Sequence, residues 1–435
     1  MDAKQVADNN TKTFIHYRVF FRARYYYPVF TLLFLDFGLS LSQFAILNSI
    51  WALTIVLFEI PLGGLADTIG RRKIVIFSAI LLNLELLVWL FAPINGGDTL
   101  FYFFLVNRIL SGLCEAASSG ADEALAYDAL EKANLKHKWS EVLEKTQRYT
   151  SLYFIFVLLI GASVYDPTII TYLYNLFGGI GTISQDDTLK FPLILNQLAA
   201  LYVLYKSFQF KEHWEQNQSI QNALRSSGKK IVQSVNWIKK TLIVIALLLI
   251  LTFSESLILQ FLTLMQQYWK VIDIPIFYYG IIGSTLALFA SIIPSLGKFL
   301  YGRLNLKTNF TLCYASLLIA YALIALSIPY YGILPAILLY CTYQLVIYLN
   351  SVYLNQYCLE DNRATILSIQ SMLSFSKYGI VSILYSFLVT AISNQQLNAN
   401  LDQIFKLSLV AFPTYFLVTT LSVYFLARNS FHKTS

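Results

Sequence analysis

Twelve stretches of about 20 or more mostly apolar residues, separated by polar turns, dominate this 435-residue chain. They run roughly over 19–38, 42–66, 73–94, 99–128, 147–166, 191–210, 241–268, 276–302, 308–329, 332–358, 363–392 and 403–427. A helix of about 20 apolar residues crosses the hydrocarbon core of a bilayer. Inside that core the backbone must satisfy its own hydrogen bonds, which restricts a spanning chain to helices or a closed barrel. Segments this long read as helices. Composition closes the alternatives: 57% of residues are hydrophobic and 13% charged, against about 25% charged in soluble domains. Mean hydropathy is +0.59, which excludes a disordered chain.

The basic residues set the topology. With both termini in the cytoplasm, 26 of the 31 Lys and Arg fall on or near one face. Lys190, Lys270 and Lys406 fall on the other, and Arg108 and Lys377 lie inside spans. The formal charge of +7 is then a positive-inside signal and not a nucleic-acid footprint. The longest strongly polar stretch, about 211–240, leaves six spans on either side. The expectation is an all-α membrane protein of twelve transmembrane helices in two six-helix pseudo-repeats. An N-terminal bundle covers 1–210, a cytoplasmic linker 211–240 and a C-terminal bundle 241–435. Halves arranged in this way pack around a central cavity. Ile231, Val235 and Ile238 give the linker helical spacing, suited either to an amphipathic helix on the inner leaflet or to a solvated connection. A second polar insertion, about 166–190, falls outside, its pair Asp186–Asp187 reading as a loop or helix cap.

The cysteines Cys114, Cys313, Cys341 and Cys358 lie in apolar stretches and read as small core residues. The histidines are scattered, so no metal and no cofactor is expected. No nucleophile–base pair, Walker loop or dinucleotide fingerprint is visible, which argues against an enzyme or an ATP-driven pump. No cleavable signal peptide is apparent in the polar first dozen residues.

The second span ends Gly63-Gly64-Leu65-Ala66-Asp67-Thr68-Ile69-Gly70-Arg71-Arg72-Lys73. Gly70 suits a tight reversal, Gly63 and Gly64 admit a close neighbouring helix, and the basic triplet holds the turn in the cytoplasm. Gly63, Leu65, Ala66, Asp67, Gly70, Arg71 and Arg72 match, in register, the signature between helices 2 and 3 of the major facilitator superfamily, which this chain resembles over its whole topology. Thr68 departs from the usual base. The resemblance implies that this loop is a conformational latch. Asp67 would meet the start of helix 11, around Asp361–Thr365 and Arg363, and a following Arg would meet Asp128 or Glu123 at the end of helix 4. A loop that merely shapes a turn explains the same residues.

Ionisable groups inside a membrane are costly and mark function by default. Arg108, Glu115 and Asp122 are seven apart twice, so on one continuous helix they form a stripe with Gly112 and Ser119. Arg108-x-x-Ser111-Gly112 also resembles the family's helix-4 motif, in which an Arg near the substrate cavity takes part in proton coupling. A guanidinium favours an ionised carboxylate nearby, while burial favours the protonated one. An Arg108 that changes partners would therefore make Glu115, or second Asp122, take up and release a proton. A fixed salt bridge between packed helices is the structural alternative. Glu59, Glu85, Glu255 and Lys377 are further intramembrane charges; Glu255 is a possible partner of Lys377.

The family builds its cavity from helices 1, 4, 7 and 10, which implies Tyr26 and Asp36, Glu255 and Gln260, and Tyr343, Gln344 and Asn350 as lining residues, with Lys377 on helix 11. Aromatics with a few polar groups suit a small amphipathic substrate. The expected function is proton-coupled efflux of such molecules by alternating access. Uptake of a nutrient or siderophore-like compound, or a non-transporting sensor on the same fold, stays open. The expected partners are a small-molecule substrate, protons and the lipid bilayer, without nucleic acid. The expected state is a monomer in a bacterial inner membrane.

Overall fold

A computed structural model describes residues 2–212, 237–239, 241–357 and 363–431. The side chains of Asp67 and Arg363, and most of the expected linker with Ile231 and Val235, lie outside the described residues. Among the described residues every regular element is helical, and eleven helices are long and apolar enough to cross a membrane. They coincide with the expected spans from 42–66 to 403–427.

The remaining expected span, 19–38, is discontinuous. A helix α1 (Ala3–Arg22) ends where Ala23 turns extended, at φ −94° and ψ 119°. A 3₁₀ turn over Tyr27–Val29 comes next, with Pro28 inside it, and then a short helix α2 (Phe30–Asp36). The proline has no N–H to continue a helical ladder. The backbone freed by the break finds other partners. Tyr25 N–H donates to Asn196 Oδ1 at 3.0 Å. Tyr25 O comes so close to the fifth span that a Cβ on Gly161 would lie 1.9 Å away. Gly161 is therefore required there by close approach.

The chain divides into two compact units. Unit 1 comprises Met1–Leu39, Ile50–Gly228 and Ile276–Ser284. Its helices are α1 and α2, most of α3 (Leu41–Ile69), α4 (Arg71–Leu90), α5 (Gly97–Ser118), α6 (Ala121–Lys132), α7 (Trp139–Tyr165), α8 (Pro167–Leu176), α9 (Gln185–Thr188) and α10 (Phe191–Gln209). α4 packs along α5 and α10, and α1 lies against α6, α7 and α10. The core of this unit is aromatic: Trp89, Phe34, Phe37 and Phe104 are fully buried and meet edge to face.

The fourth span consists of α5 and α6, separated at Ser119–Gly120, where Gly120 adopts φ +77°. That left-handed conformation costs any other residue about 1–2 kcal/mol. A Cβ on Gly120 would meet nothing within 4 Å, so conformation alone sets the requirement there. α8 and α9 fill the insertion read as polar. Asp187 caps α9 through Ser184, as a cap reading of the acidic pair anticipates.

Unit 2 comprises Ser40–Ser49, Lys229–Pro275 and Thr285–Ser435. Its helices are α11 (Leu242–Thr263), α12 (Met265–Val271), most of α13 (Phe277–Tyr301), α14 (Leu306–Ala325), α15 (Ile333–Tyr357), α16 (Arg363–Gln395), α17 (Leu401–Leu409) and α18 (Ala411–Phe431). α11 is the central element, packed against α15, α16 and α18.

Candidate functional site

In unit 1 the acids of the third and fourth spans meet arginines of the first. Arg18 bridges two of them, with Nη1 3.1 Å from Asp122 Oδ2 and Nη2 2.9 Å from Glu123 Oε2. Arg22 Nη1 lies 3.4 Å from Glu115 Oε1. Arg24, in the break, lies 3.4 Å from Glu85 Oε1. Arg18 and Arg22 are four apart on α1 and therefore share a face. These pairs differ in kind. The Asp122 and Glu85 carboxylates are buried, whereas the Arg22 and Glu115 side chains remain 46% and 35% exposed.

The stripe expected on one continuous helix is interrupted. Arg108 and Glu115 lie on α5, but Asp122 falls beyond the Gly120 break, on α6. Arg108 is buried among rings, its guanidinium carbon 5.4 Å from Phe30, 5.1 Å from Phe34 and 5.6 Å from Trp89. Its Nε donates to Asn107 Oδ1 at 3.0 Å, and Asn107 Nδ2 donates to the Glu85 carbonyl at 2.8 Å. Cation–π contacts in a desolvated site reach about 2 kcal/mol each, which stabilises a charge that membrane burial would otherwise penalise. Gly112, on the same helix, faces α3: a Cβ there would lie 2.7 Å from Thr54 Cβ and 2.9 Å from Trp51 O.

The loop after the second span is a reversal at Gly70, with φ +101° and ψ 138°, immediately before α4. Glycine alone adopts that backbone without strain. Arg71 Nη1 lies 2.5 Å from Asp128 Oδ2, so these two latch candidates are brought together. Arg72 instead reaches Phe208 O, at 3.0 Å. Among the described residues nothing comes within 4 Å of a Cβ placed on Gly63.

Sequence reading missed Glu212. Its two carboxylate oxygens accept from the N–H groups of Arg71 and Arg72, at 3.0 and 2.9 Å, and so cap the start of α4. The N-terminal half of α1 holds the same segment. Asn10 Nδ2 donates to Lys211 O at 2.8 Å, and Lys211 N–H donates to Asn10 Oδ1 at 2.9 Å. An acid just past a sixth span is the only sequence signal for this contact, and it names no partner.

Unit 2 gathers part of the expected substrate set. On α11, Glu255 accepts from Tyr343 of α15 at 3.3 Å and from Ser374 of α16. Lys377 Nζ donates to Thr252 Oγ1 at 2.5 Å and lies 3.7 Å from the centroid of Phe253. Thr252 and Glu255 are three apart on α11, and Ser374 and Lys377 three apart on α16, so acid and base belong to facing helix stripes. Among the described residues no ion pair joins them; hydroxyls satisfy each. Gln260 accepts from Ser382 at 2.6 Å. Asn350 is buried, and among the described residues neither of its side-chain polar atoms has a hydrogen-bond partner. Gln344 is half-buried.

Tyr26 and Asp36 belong to unit 1. Tyr26 packs edge to face on Trp89 with centroids 5.0 Å apart, and Asp36 accepts from Tyr165 at 2.5 Å. Among the described residues no His, Cys, Asp and Glu grouping could hold a metal ion.

The family model described as Major Facilitator Superfamily matches residues 19–382. No curated protein sequence matches the chain. Among solved structures, the chain is similar to the nucleoside transporter NupG, with TM-score 0.68 and 13% identity over 98% of this chain and 99% of that one. It is also similar to a bacterial homolog of the human lysosomal transporter Spinster, with TM-score 0.68 and 13% identity over 98% and 97%. The xylose transporter XylE from E. coli matches with TM-score 0.62 and 12% identity over 96% and 98%. Likeness at these identities is likeness of fold.

Proposed function

Because this chain belongs to the Major Facilitator Superfamily, we propose that it is a secondary transporter that exports a small amphipathic molecule by alternating access in exchange for protons. The observation that carries this reading is the set of ion pairs between the first span and the third and fourth, above all Arg22–Glu115. Breaking a buried pair costs about 3–5 kcal/mol, whereas partly exposed pairs contribute about 0–1 kcal/mol. Arg18–Asp122 is then a fixed strut and Arg22–Glu115 a contact that opens at little cost.

In the proposed cycle, Arg22 and Glu115 part and rejoin as the protein changes state, and Glu115 is the first candidate to carry the proton. Arg108 stays in its ring of aromatics as a fixed positive charge on the same helix as Glu115. Asp122 is the second candidate for the proton. The loop with Asp67, Gly70, Arg71 and Arg72 acts as the latch, with Asp128 as one partner and the Arg363 region as the other. Glu255, Tyr343 and Lys377 contribute charged and hydroxyl contacts to the substrate, Gln260 and Asn350 amide contacts. The protein works as a multi-pass monomer in a bacterial inner membrane with both termini cytoplasmic.

A specific observation favours a second reading. The solved structures similar to this chain include a D-xylose–proton symporter, which supports proton-driven uptake by the same parts. Reconstituted protein under an imposed pH gradient separates the two. Ethidium leaving against its gradient supports export, and uridine or D-xylose accumulating supports uptake. Movement of none of them, with no proton movement, supports the non-transporting alternative.

A further inference from the structure

The stretch Pro167–Gln185 holds no Lys, Arg, His, Asp or Glu in nineteen consecutive residues. It lies one residue, Asp166, beyond the end of the spanning helix α7. Asp166 ends α7 and caps α8, its Oδ1 accepting from Thr168 N–H at 2.9 Å. Proline at the first helical position completes an ordinary helix start. None of the ten residues of α8 is buried. Tyr172, Leu176, Phe177 and Ile180 are 68%, 65%, 87% and 96% exposed.

The segment is nevertheless well structured. Gly179 N–H donates to Tyr174 O at 2.9 Å, and Ile183 N–H donates to Thr171 Oγ1 at 2.9 Å. The Tyr174 ring occupies the space a Cβ on Gly179 would fill. Gly178, at φ +88°, and Gly181, at φ +132°, turn the chain so that Phe177 and Ile180 project.

We propose that Pro167–Ile183 is an interfacial anchor, lying in the phospholipid surface at the membrane face where α7 ends, with Phe177 and Ile180 inserted among the acyl chains. Position argues for lipid: the element begins one residue beyond a spanning helix. A ten-residue helix rises about 15 Å, half of the hydrocarbon core, so it cannot cross. Tyr172 and Tyr174 carry the amphipathic rings that settle at headgroup depth. A protein-binding patch would carry a polar rim and favour arginine; this one has no charge from end to end.

The anchor is tied at its root to two other segments of unit 1. Tyr165 donates to Asp36 of the first span, and Asp166 Oδ2 accepts from Phe277 N–H at 3.1 Å. Bilayer contact at α8 thereby positions the ends of the first and fifth spans within unit 1.

Spin labels on Phe177→Cys, Ile180→Cys and, as an aqueous reference, Asp186→Cys test this in phosphatidylcholine–phosphatidylglycerol vesicles. All three positions are exposed, so the label displaces no core packing. The unsubstituted protein, whose Cys114 and Cys313 are buried, gives the labelling blank. Labels at 177 and 180 should collide with oxygen several-fold more than with a water-soluble nickel chelate, with the ratio reversed at 186. Nickel-dominated collisions at 177 and 180 would place the segment in water and overturn the proposal. Low accessibility to both reagents would overturn it too, in favour of a second copy where dipolar broadening accompanies it and of another part of the chain where it does not.

Discussion

Arg22 on the first helix and Glu115 on the fourth span stand 3.4 Å apart with both side chains partly exposed, while one turn earlier on the first helix Arg18 clamps the buried Asp122. The two contacts look alike as ion pairs and differ in what their loss costs. Arg18→Met strands a buried carboxylate and should destabilise the purified protein by about 3–5 kcal/mol. Arg22→Met should cost about 1 kcal/mol or less. Thermal unfolding in detergent measures both; equal losses would remove the distinction between strut and switch.

The two glycines of the fourth span should fail differently. Gly120→Ala should cost about 1–2 kcal/mol from its left-handed backbone alone, since a methyl there meets nothing within 4 Å. Gly112→Ala drives a methyl into Thr54 and the Trp51 carbonyl. It should cost about 1–3 kcal/mol through overpacking, and Thr54→Ala should relieve part of that cost. The same unfolding measurement, extended to the double variant, decides it.

Glu212 is predicted to hold the start of α4. Glu212→Ala removes the acceptor of two helix N–H groups and should cost about 1–2 kcal/mol. Asp128→Ala removes a partly exposed ion pair and should cost about 1 kcal/mol or less. Amide hydrogen exchange should show faster exchange at Arg71 and Arg72 in Glu212→Ala, and unchanged exchange there would contradict the cap.

Lys377 and Glu255 are predicted to serve substrate more than stability. Lys377 has a hydroxyl and a ring for partners, so Lys377→Met should leave the unfolding midpoint within a few degrees. Movement of the transported probe should fall about tenfold or more, the equivalent of about 1.4 kcal/mol in binding. A variant that transports normally would assign Lys377 to packing.

Eleven of the twelve expected spans and the loop after the second are legible in the sequence because hydropathy and glycine placement are local properties. The break at Ala23–Val29 is half legible: Arg22, Arg24 and Pro28 mark it, but Asn196 and Gly161, which receive it, lie far along the chain. The stripe Arg108–Glu115–Asp122 assumes an unbroken helix, and Gly120 between the last two is the available warning. Spacing on one helix also cannot say what stands opposite, so it does not match the three arginines of the first span to their acids. The insertion at 166–190 reads as polar from its ends, although its middle carries no charge.

Reconstituted wild-type protein and Glu115→Gln, with ethidium as the transported probe and a trapped pH-sensitive dye, test the central claim most directly. The account predicts that the wild type exchanges ethidium for protons, and that Glu115→Gln folds and exchanges ethidium downhill but moves no protons. Proton movement in Glu115→Gln at the wild-type rate would contradict it.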